Sequence, residues 1–373
     1  MPALDLIREA ERQMVICNAC RYCEGYCAVF PAMELRRTFS KADLIYLSNL
    51  CFDCRDCYYA CQFAPPHEFK VNVPQVFAQV RRETYRDYSW PGMLRGLFRQ
   101  NERAVAWITV VSTVLIMALV LLFQGSAILF GTHIGEGAFY RVIPYVAMVI
   151  PPSIVAVYVI WVFTRGAGRF WKDTHSGLVD ALDIGAFLRG TRDVFTLRYL
   201  GGGESGGCNY PDASFSEARR WFHHLTFYGF LLDLAATTVA GIYDHFLGWP
   251  APYPLLSWPV GLGTVGGLML LAGTGGLLYL KWHSDLAPAA METRRMDVAF
   301  LWLLLLTGLT GLLLLTLRET PAMGMLLVVH LGFVAGIFVT APYGKFAHVI
   351  YRYAALIRNS IEQAQTGRPG AEH

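Results

Sequence analysis

The sequence predicts an all-α protein: a helical ferredoxin domain carrying two iron–sulfur clusters, followed by a bundle of six transmembrane helices. Three observations lead there. Eight of the nine cysteines fall in two short runs within the first 61 residues, Cys17 to Cys27 and Cys51 to Cys61. Long uncharged stretches recur after residue 103 in a chain that is 54% hydrophobic and only 16% charged. Histidines stand near the ends of several of those stretches.

The amino-terminal segment, residues 1–103, comes first. Each run has the form C-x2-C-x2-C-x3-C, with Cys17, Cys20, Cys23 and Cys27 in the first and Cys51, Cys54, Cys57 and Cys61 in the second. A reducing cytoplasm disfavours a disulfide framework, and zinc favours two ligand pairs parted by a longer loop. Four thiolates packed this closely suit a cubane with four iron corners, so two 4Fe–4S clusters are expected. In two-cluster ferredoxins the fourth cysteine of each run ligates the other cluster. That rule gives one cluster to Cys17, Cys20, Cys23 and Cys61, and the second to Cys51, Cys54, Cys57 and Cys27. Between the runs, TFSKADLIYLSNL reads as a helix: Ser40 caps its first turn, Asp43 follows three residues on, and Leu44, Ile45 and Leu47 form an apolar side. Cys208, alone in the loop GGGESGGCNY, is expected to be a bystander.

The membrane half, residues 104–348, follows. About 20 apolar residues cross the hydrocarbon layer. Ala104 to Phe123, Val142 to Phe163, Trp221 to Gly241, Pro259 to Leu280, Val298 to Leu317 and Met323 to Ala341 all meet that length, and mean hydropathy over the chain is +0.38. The first span begins behind a polar, cysteine-rich segment, so that segment is expected to stay in the cytoplasm. Six spans then return residues 349–373 to the same side as a tail. Of the 31 basic residues, all but Arg141 and Arg318 fall in the segments this topology makes cytoplasmic, as the positive-inside rule requires. A multi-pass protein of a bacterial inner membrane, with both termini cytoplasmic, is the expected localisation. The net charge of +3 thus reports topology; a nucleic-acid module would gather its excess on one soluble face.

Histidines inside spans are costly and usually turned inward for function, and imidazole is a common axial ligand of haem iron. His330 and His348 are eighteen residues apart, which on one helix is five turns and about 27 Å. His245 ends the third span, and His223 and His224 begin it. Two levels of haem b are expected: an inner haem on His348 with His223 or His224, and an outer one on His330 with His245. His283 competes for the inner position, while His67, His133 and His175 read as loop residues. Gly229, Gly332 and Gly336 suit either a macrocycle or close helix packing. Asp233, Lys281 and His283 are candidates for quinone contact.

The string GLGTVG, Gly261 to Gly266, matches a dinucleotide fingerprint in letters alone. It opens a membrane span with no strand before it, so it reads as helix packing. No other stretch offers a site for flavin, nicotinamide or substrate chemistry. The chain reads as a wire that needs a partner.

The two cysteine runs, CQFAPPHEFKVNVPQV, RRWFHHLTFYGFLLDLAATTVAGIYDHF and WPVGLGTVGGLMLLAGTGGLLYLKW together resemble the tricarballylate-utilisation B family, also called citrate-utilisation B. The resemblance spans nearly the whole chain, and the family is related to the iron–sulfur and haem half of a cobalamin-biosynthesis fusion protein. The membrane half is also similar to the haem-b subunits of respiratory nitrate reductases and heterodisulfide reductases. This resemblance implies a separate FAD-dependent dehydrogenase as partner, oxidising tricarballylate or a related acid, with electrons passing through clusters and haem to the membrane quinone. The eight cysteines carry over residue by residue. Two other readings stand beside it: a heterodisulfide-reductase-like subunit serving thiol chemistry, and a redox sensor or anchor without turnover. The loop from Thr164 to Arg220 is expected to dock the partner.

Overall fold

The computed structural model describes residues 3–174, 183–202 and 206–366, and these are helical almost throughout. The first five helices, α1 (Ala3–Cys20), α2 (Val29–Glu34), α3 (Lys41–Leu50), α4 (Asp56–Tyr59) and α5 (Val73–Tyr88), build the cysteine-bearing domain. The expected helix between the runs is α3. Its Ser40 hydroxyl accepts from the Asp43 amide, and the Asp43 carboxylate accepts from the Ser40 amide, a closed capping box. Buried Met14 of α1, Leu44 and Leu47 of α3, and Phe77 and Val80 of α5 meet in one core.

Next come α6 (Asn101–Phe123), the short α7 (Ser126–Leu129) and α8 (Ala138–Val142), and α9 (Tyr145–Thr174). After these, α10 (Ile184–Phe195) and a two-stranded hairpin, β1 (Cys208–Asn209) with β2 (Phe215–Ser216), lead into α11 (Ala218–Leu247). The bundle closes with α12 (Trp258–His283), α13 (Met291–Leu317) and α14 (Met323–Thr340). Among the described residues, six helices are long and apolar enough to cross a membrane: α6, α9, α11, α12, α13 and the segment Met323–Tyr343. Each overlaps one expected span, and large apolar side chains such as Val111, Leu122, Ile154 and Ile160 face outward, where only lipid can cover them. The protein is a multi-pass membrane protein.

Small residues let the spans touch backbone to backbone. A Cβ added at Gly229 of α11 would lie 2.8 Å from the Leu270 amide nitrogen and 2.9 Å from the Gly266 carbonyl oxygen of α12. Gly266, the last glycine of the GLGTVG string, is thus a packing residue, and the Asp233 carboxyl fills the space beside it. Gly332 and Gly336 of α14 seat Thr113 and Thr109 of α6. All three glycines singled out by sequence serve helix contacts.

The end of the chain departs from the expected continuous last helix. The span from Met323 breaks after Thr340, passes Pro342 and an extended Gly344, and restarts as α15 (His348–Thr366). Proline removes an amide donor and the following chain cannot continue the helix. His330 and His348 therefore sit on different helices. As far as Thr366 the expected tail is the helix α15, whose Tyr351, Ala354, Ala355 and Leu356 are buried in the core of the amino-terminal domain, and residues 367–373 lie outside the described residues. Each such side chain stabilises the joint by roughly 1.5–3 kcal/mol for the large ones. Polar ties add register: Asn72 Nδ2 donates to the Ala287 carbonyl at 2.9 Å, and Asn101 Nδ2 donates to that of Tyr343 at 2.7 Å.

Candidate functional site

The cysteine runs lie on chain that winds tightly around itself. Cys17 and Cys20 end α1, Cys23 and Cys27 occupy the following loop, Cys51 closes α3, and Cys57 lies in α4. Left-handed backbone at Asp53 (φ 58°) and Arg55 (φ 73°) turns the loop on both sides of Cys54. Non-glycine residues hold that conformation only where surroundings enforce it.

Cys17, Cys20, Cys23 and Cys61 line one cavity, and Cys57 lines it with them. Cys27 instead falls among Cys51, Cys54 and Cys57, near enough for their charges to interact. Burial, then the neighbouring thiols, pushes Cys17 and Cys23 up to about 12. A bunched thiol set resists losing protons until a metal centre compensates the charge. Backbone amides already aim at the sulfurs: those of Val29 and Phe30 at Cys27, those of Phe63 and Ala64 at Cys61, and that of Asp53 at Cys51, 3.4 Å away. Among the described residues, neither set of four is drawn within the spacing of one tetrahedral ion; the single tight group is Cys54, Asp56 and Cys208. The wider spacing fits a polynuclear cluster better than zinc.

The histidines divide. His223 of α11 and His348 of α15 face each other with ring centroids 6.4 Å apart and planes at 79°. His348 Nδ1 donates to the Lys345 carbonyl at 2.7 Å, which leaves Nε2 with its lone pair free. Burial, then the cations Lys345 and Arg352, holds His348 far below its ordinary value and so neutral. His223 Nδ1 is buried without a hydrogen-bond partner, an orphan that a ligand would explain. His224 points elsewhere: its ring stacks on Tyr228 at 5.8 Å and 5°. Adjacent residues on a helix differ by about 100° in direction, so only one of the two can meet α15.

The other described histidines have other neighbours. His330 Nδ1 lies 3.1 Å from the Thr310 hydroxyl, while exposed His245 has Nδ1 3.4 Å from that of Tyr145. Among the described residues no ring contact joins His330 to His245. His283 is exposed, with Nδ1 bonded to its own helix at Tyr279. His67 packs between Phe63 and Phe69, and buried His133 bonds the Ile128 carbonyl at 2.7 Å. His175 lies outside the described residues, as do Glu204 and its neighbours 203 and 205 in the loop expected to dock a partner.

His223 and His348 line a cavity between the two halves of the protein. Its membrane side is apolar, with Phe227, Phe230, Leu277 and Phe346; the side toward the cysteines is cationic. Arg81 and Arg352 both donate to the Cys51 carbonyl, at 3.0 and 2.8 Å. Arg219 donates to the carbonyls of Asp53 and Phe52, at 2.6 and 3.0 Å. Three arginines from α5, α15 and α11 thus clamp the segment that leads from Cys51 to Cys54. An apolar slot with two facing imidazoles and a cationic rim fits a b-type haem.

The family models match in two blocks that divide the chain as the fold does. "Citrate utilization protein B Fer4-like domain" covers residues 10–87, and "Citrate utilization protein B" covers residues 98–369. The chain belongs to the citrate utilization protein B family. It is 45% identical over 363 residues to Citrate utilization protein B of Escherichia coli, covering 97% of this chain and 94% of that one. No solved structure matches the chain. The Fer4-like match and the cysteine geometry make the amino-terminal domain of this family member an iron–sulfur domain.

Within this citrate-utilization fold, two arrangements escape the sequence reading. Lys281 and Lys345 bind opposite oxygens of Asp297, at 2.8 and 2.6 Å, so Lys281 is engaged in an ion triad. Burial lowers Lys345 to about 8 despite that carboxylate. Cys208 is fully buried on β1, its Sγ 3.0 Å from the Leu200 carbonyl and grouped with Cys54 and Asp56. It packs beside the second cysteine set instead of standing idle in a loop. No spacing rule links residues 150 positions apart; only the GG-bearing hairpin hints that the chain returns.

Proposed function

We propose that the protein is a membrane electron-transfer component of citrate or tricarboxylate utilisation. It reoxidises an FAD-dependent dehydrogenase acting on tricarballylate, citrate or a related acid, and delivers electrons to quinone. Cys17, Cys20, Cys23 and Cys61 hold one 4Fe–4S cluster, and Cys27, Cys51, Cys54 and Cys57 hold the second. His223 and His348 hold the inner b-type haem, a choice that replaces His224. His245 and His330 are the candidate pair for an outer haem. When bound, these groups supply one-electron chemistry.

The chain's own residues do the rest. The single observation that carries the reading is the arginine clamp, which fixes the Cys51–Asp53 segment against both helices that bear the facing imidazoles. The Lys345 carbonyl orients the His348 ring and selects its tautomer. Phe227, Phe230 and Phe346 exclude water from the slot. Amides directed at Cys27, Cys51 and Cys61 tune those sulfurs. On this reading both termini are cytoplasmic and the membrane is the bacterial inner membrane. The crowding of lysine and arginine on one side of the spans supports that orientation.

Membranes containing the protein are expected to couple oxidation of a reduced tricarboxylate dehydrogenase to quinone reduction, and His223→Ala membranes to lose that coupling with iron content intact. Equal quinone reduction with and without the protein would contradict the proposal.

A further inference from the structure

The cavity between the two halves carries more positive charge than its neighbours balance. Arg55, Arg219, Lys281, Arg294, Lys345 and Arg352 line it, against the carboxylates of Asp53 and Asp297. Asp297 is already shared by the two lysines. Arg55 is 3% exposed, and its Nε, like those of Arg294 and Arg352, is buried without a hydrogen-bond partner. These guanidiniums spend other donors on backbone: Arg55 on Asp285, Arg294 on Lys281 and Arg352 on Cys51. What remains is a group of guanidiniums that line the cavity, with three buried Nε donors unsatisfied. Buried charge without a counter-charge is expensive, and guanidinium matches a carboxylate in shape as well as sign. The thiols of the second cysteine set offset part of the excess near Arg81 and Arg219.

We propose that this wall is a carboxylate-binding subsite. It takes a pair of carboxylates, carried either by the haem held between His223 and His348 or by a free polycarboxylate. The first source rests on the haem reading above; the second does not. With the haem as source, the arginines of this wall would hold its two acidic side chains, and Phe227 and Phe346 would pack on its apolar part.

The test uses the full-length chain in detergent, with clusters loaded and produced without haem. Haem and haem dimethyl ester, which lacks free carboxylates, are titrated by absorbance, and radiolabelled citrate is measured by equilibrium dialysis. With haem as source, the ester binds about ten-fold more weakly or worse, and Arg55→Gln and Arg352→Gln bring haem down to the ester's affinity. With a free acid as source, haem and ester bind alike, and citrate binds the parent chain but not Arg55→Gln. The proposal is overturned if the ester matches haem and citrate does not bind. The ester comparison needs no variant, so a misfolded substitution does not blunt it. If neither haem nor ester binds, the haem reading falls by itself and citrate binding alone decides the subsite.

Discussion

Arg352 donates to the Cys51 carbonyl at 2.8 Å from a position one helical turn beyond His348. Arg219, one turn before His223 on α11, grips the next two carbonyls of the same segment. The second cysteine set and the imidazole pair are therefore positioned by one shared backbone segment, and displacement of either helix displaces both.

Arg81 tests the clamp from the third side. It is 4% exposed and donates to the carbonyls of Ser48 and Cys51. In Arg81→Gln the Ser48 carbonyl loses its charged donor, at a cost of about 1–3 kcal/mol, while Arg352 still donates to Cys51. Thermal unfolding is expected at lower temperature. The second cluster's midpoint, followed by paramagnetic resonance in a redox titration, is expected to fall, because a nearby cation favours the more negative reduced state. The first cluster's midpoint is expected to hold; equal shifts in both would count against the clamp.

The crossed cysteine sets make an asymmetric forecast. Cys61→Ser is expected to disturb the cluster of the first run, and Cys27→Ser that of the second. Paramagnetic resonance of the reduced protein separates the two signals, and loss confined to the mutated cysteine's own run would refute the crossing.

Replacing each adjacent histidine distinguishes their roles. His223→Ala is expected to remove the inner haem's optical band, whereas His224→Ala, which loses a ring in contact with Tyr228 and Trp221, retains it. The reverse result would restore His224 as the ligand.

Acid is expected to loosen the joint between α3 and α15. Arg36 bridges Asp43 and Glu362, at 2.7 and 2.5 Å, and Arg358 also binds Glu362 at 3.0 Å. Burial pushes Asp43 upward, but the Ser40 hydroxyl and Arg36 outweigh it, and the carboxyl ends below its ordinary value. The unfolded chain then binds the proton first, so this stabilisation is complete above about pH 4 and is lost as pH falls through the lower folded value. Thermal melts across that window are expected to show a smaller acid loss in Asp43→Asn; an unchanged loss would remove Asp43 from the joint.

Much of this was legible in the residues. Cysteine spacing is a local property, and the proposed crossing of Cys27 and Cys61 rests on the rule for two-cluster ferredoxins. Span lengths follow from the thickness of hydrocarbon, and the Ser40–Asp43 box announces α3. What stayed hidden depends on relative orientation. Whether His223 or His224 meets His348 turns on the phase of α11 against α15, which neither helix specifies alone. The break at Pro342 and Gly344 was visible, but the apolar run masks it. The stripe of Tyr351, Ala354, Ala355 and Arg358 likewise repeats at helical spacing, although its partner core lies some 300 residues earlier. Cys208 reaches Cys54 only through the β1–β2 hairpin.

The most direct measurement is haem and non-haem iron per chain on anaerobically purified protein, read beside a reduced-minus-oxidised spectrum. The proposed relay predicts eight non-haem irons, from two 4Fe–4S clusters of four irons each, together with a b-type haem band that disappears in His223→Ala. Full iron with no haem in the parent protein would contradict it.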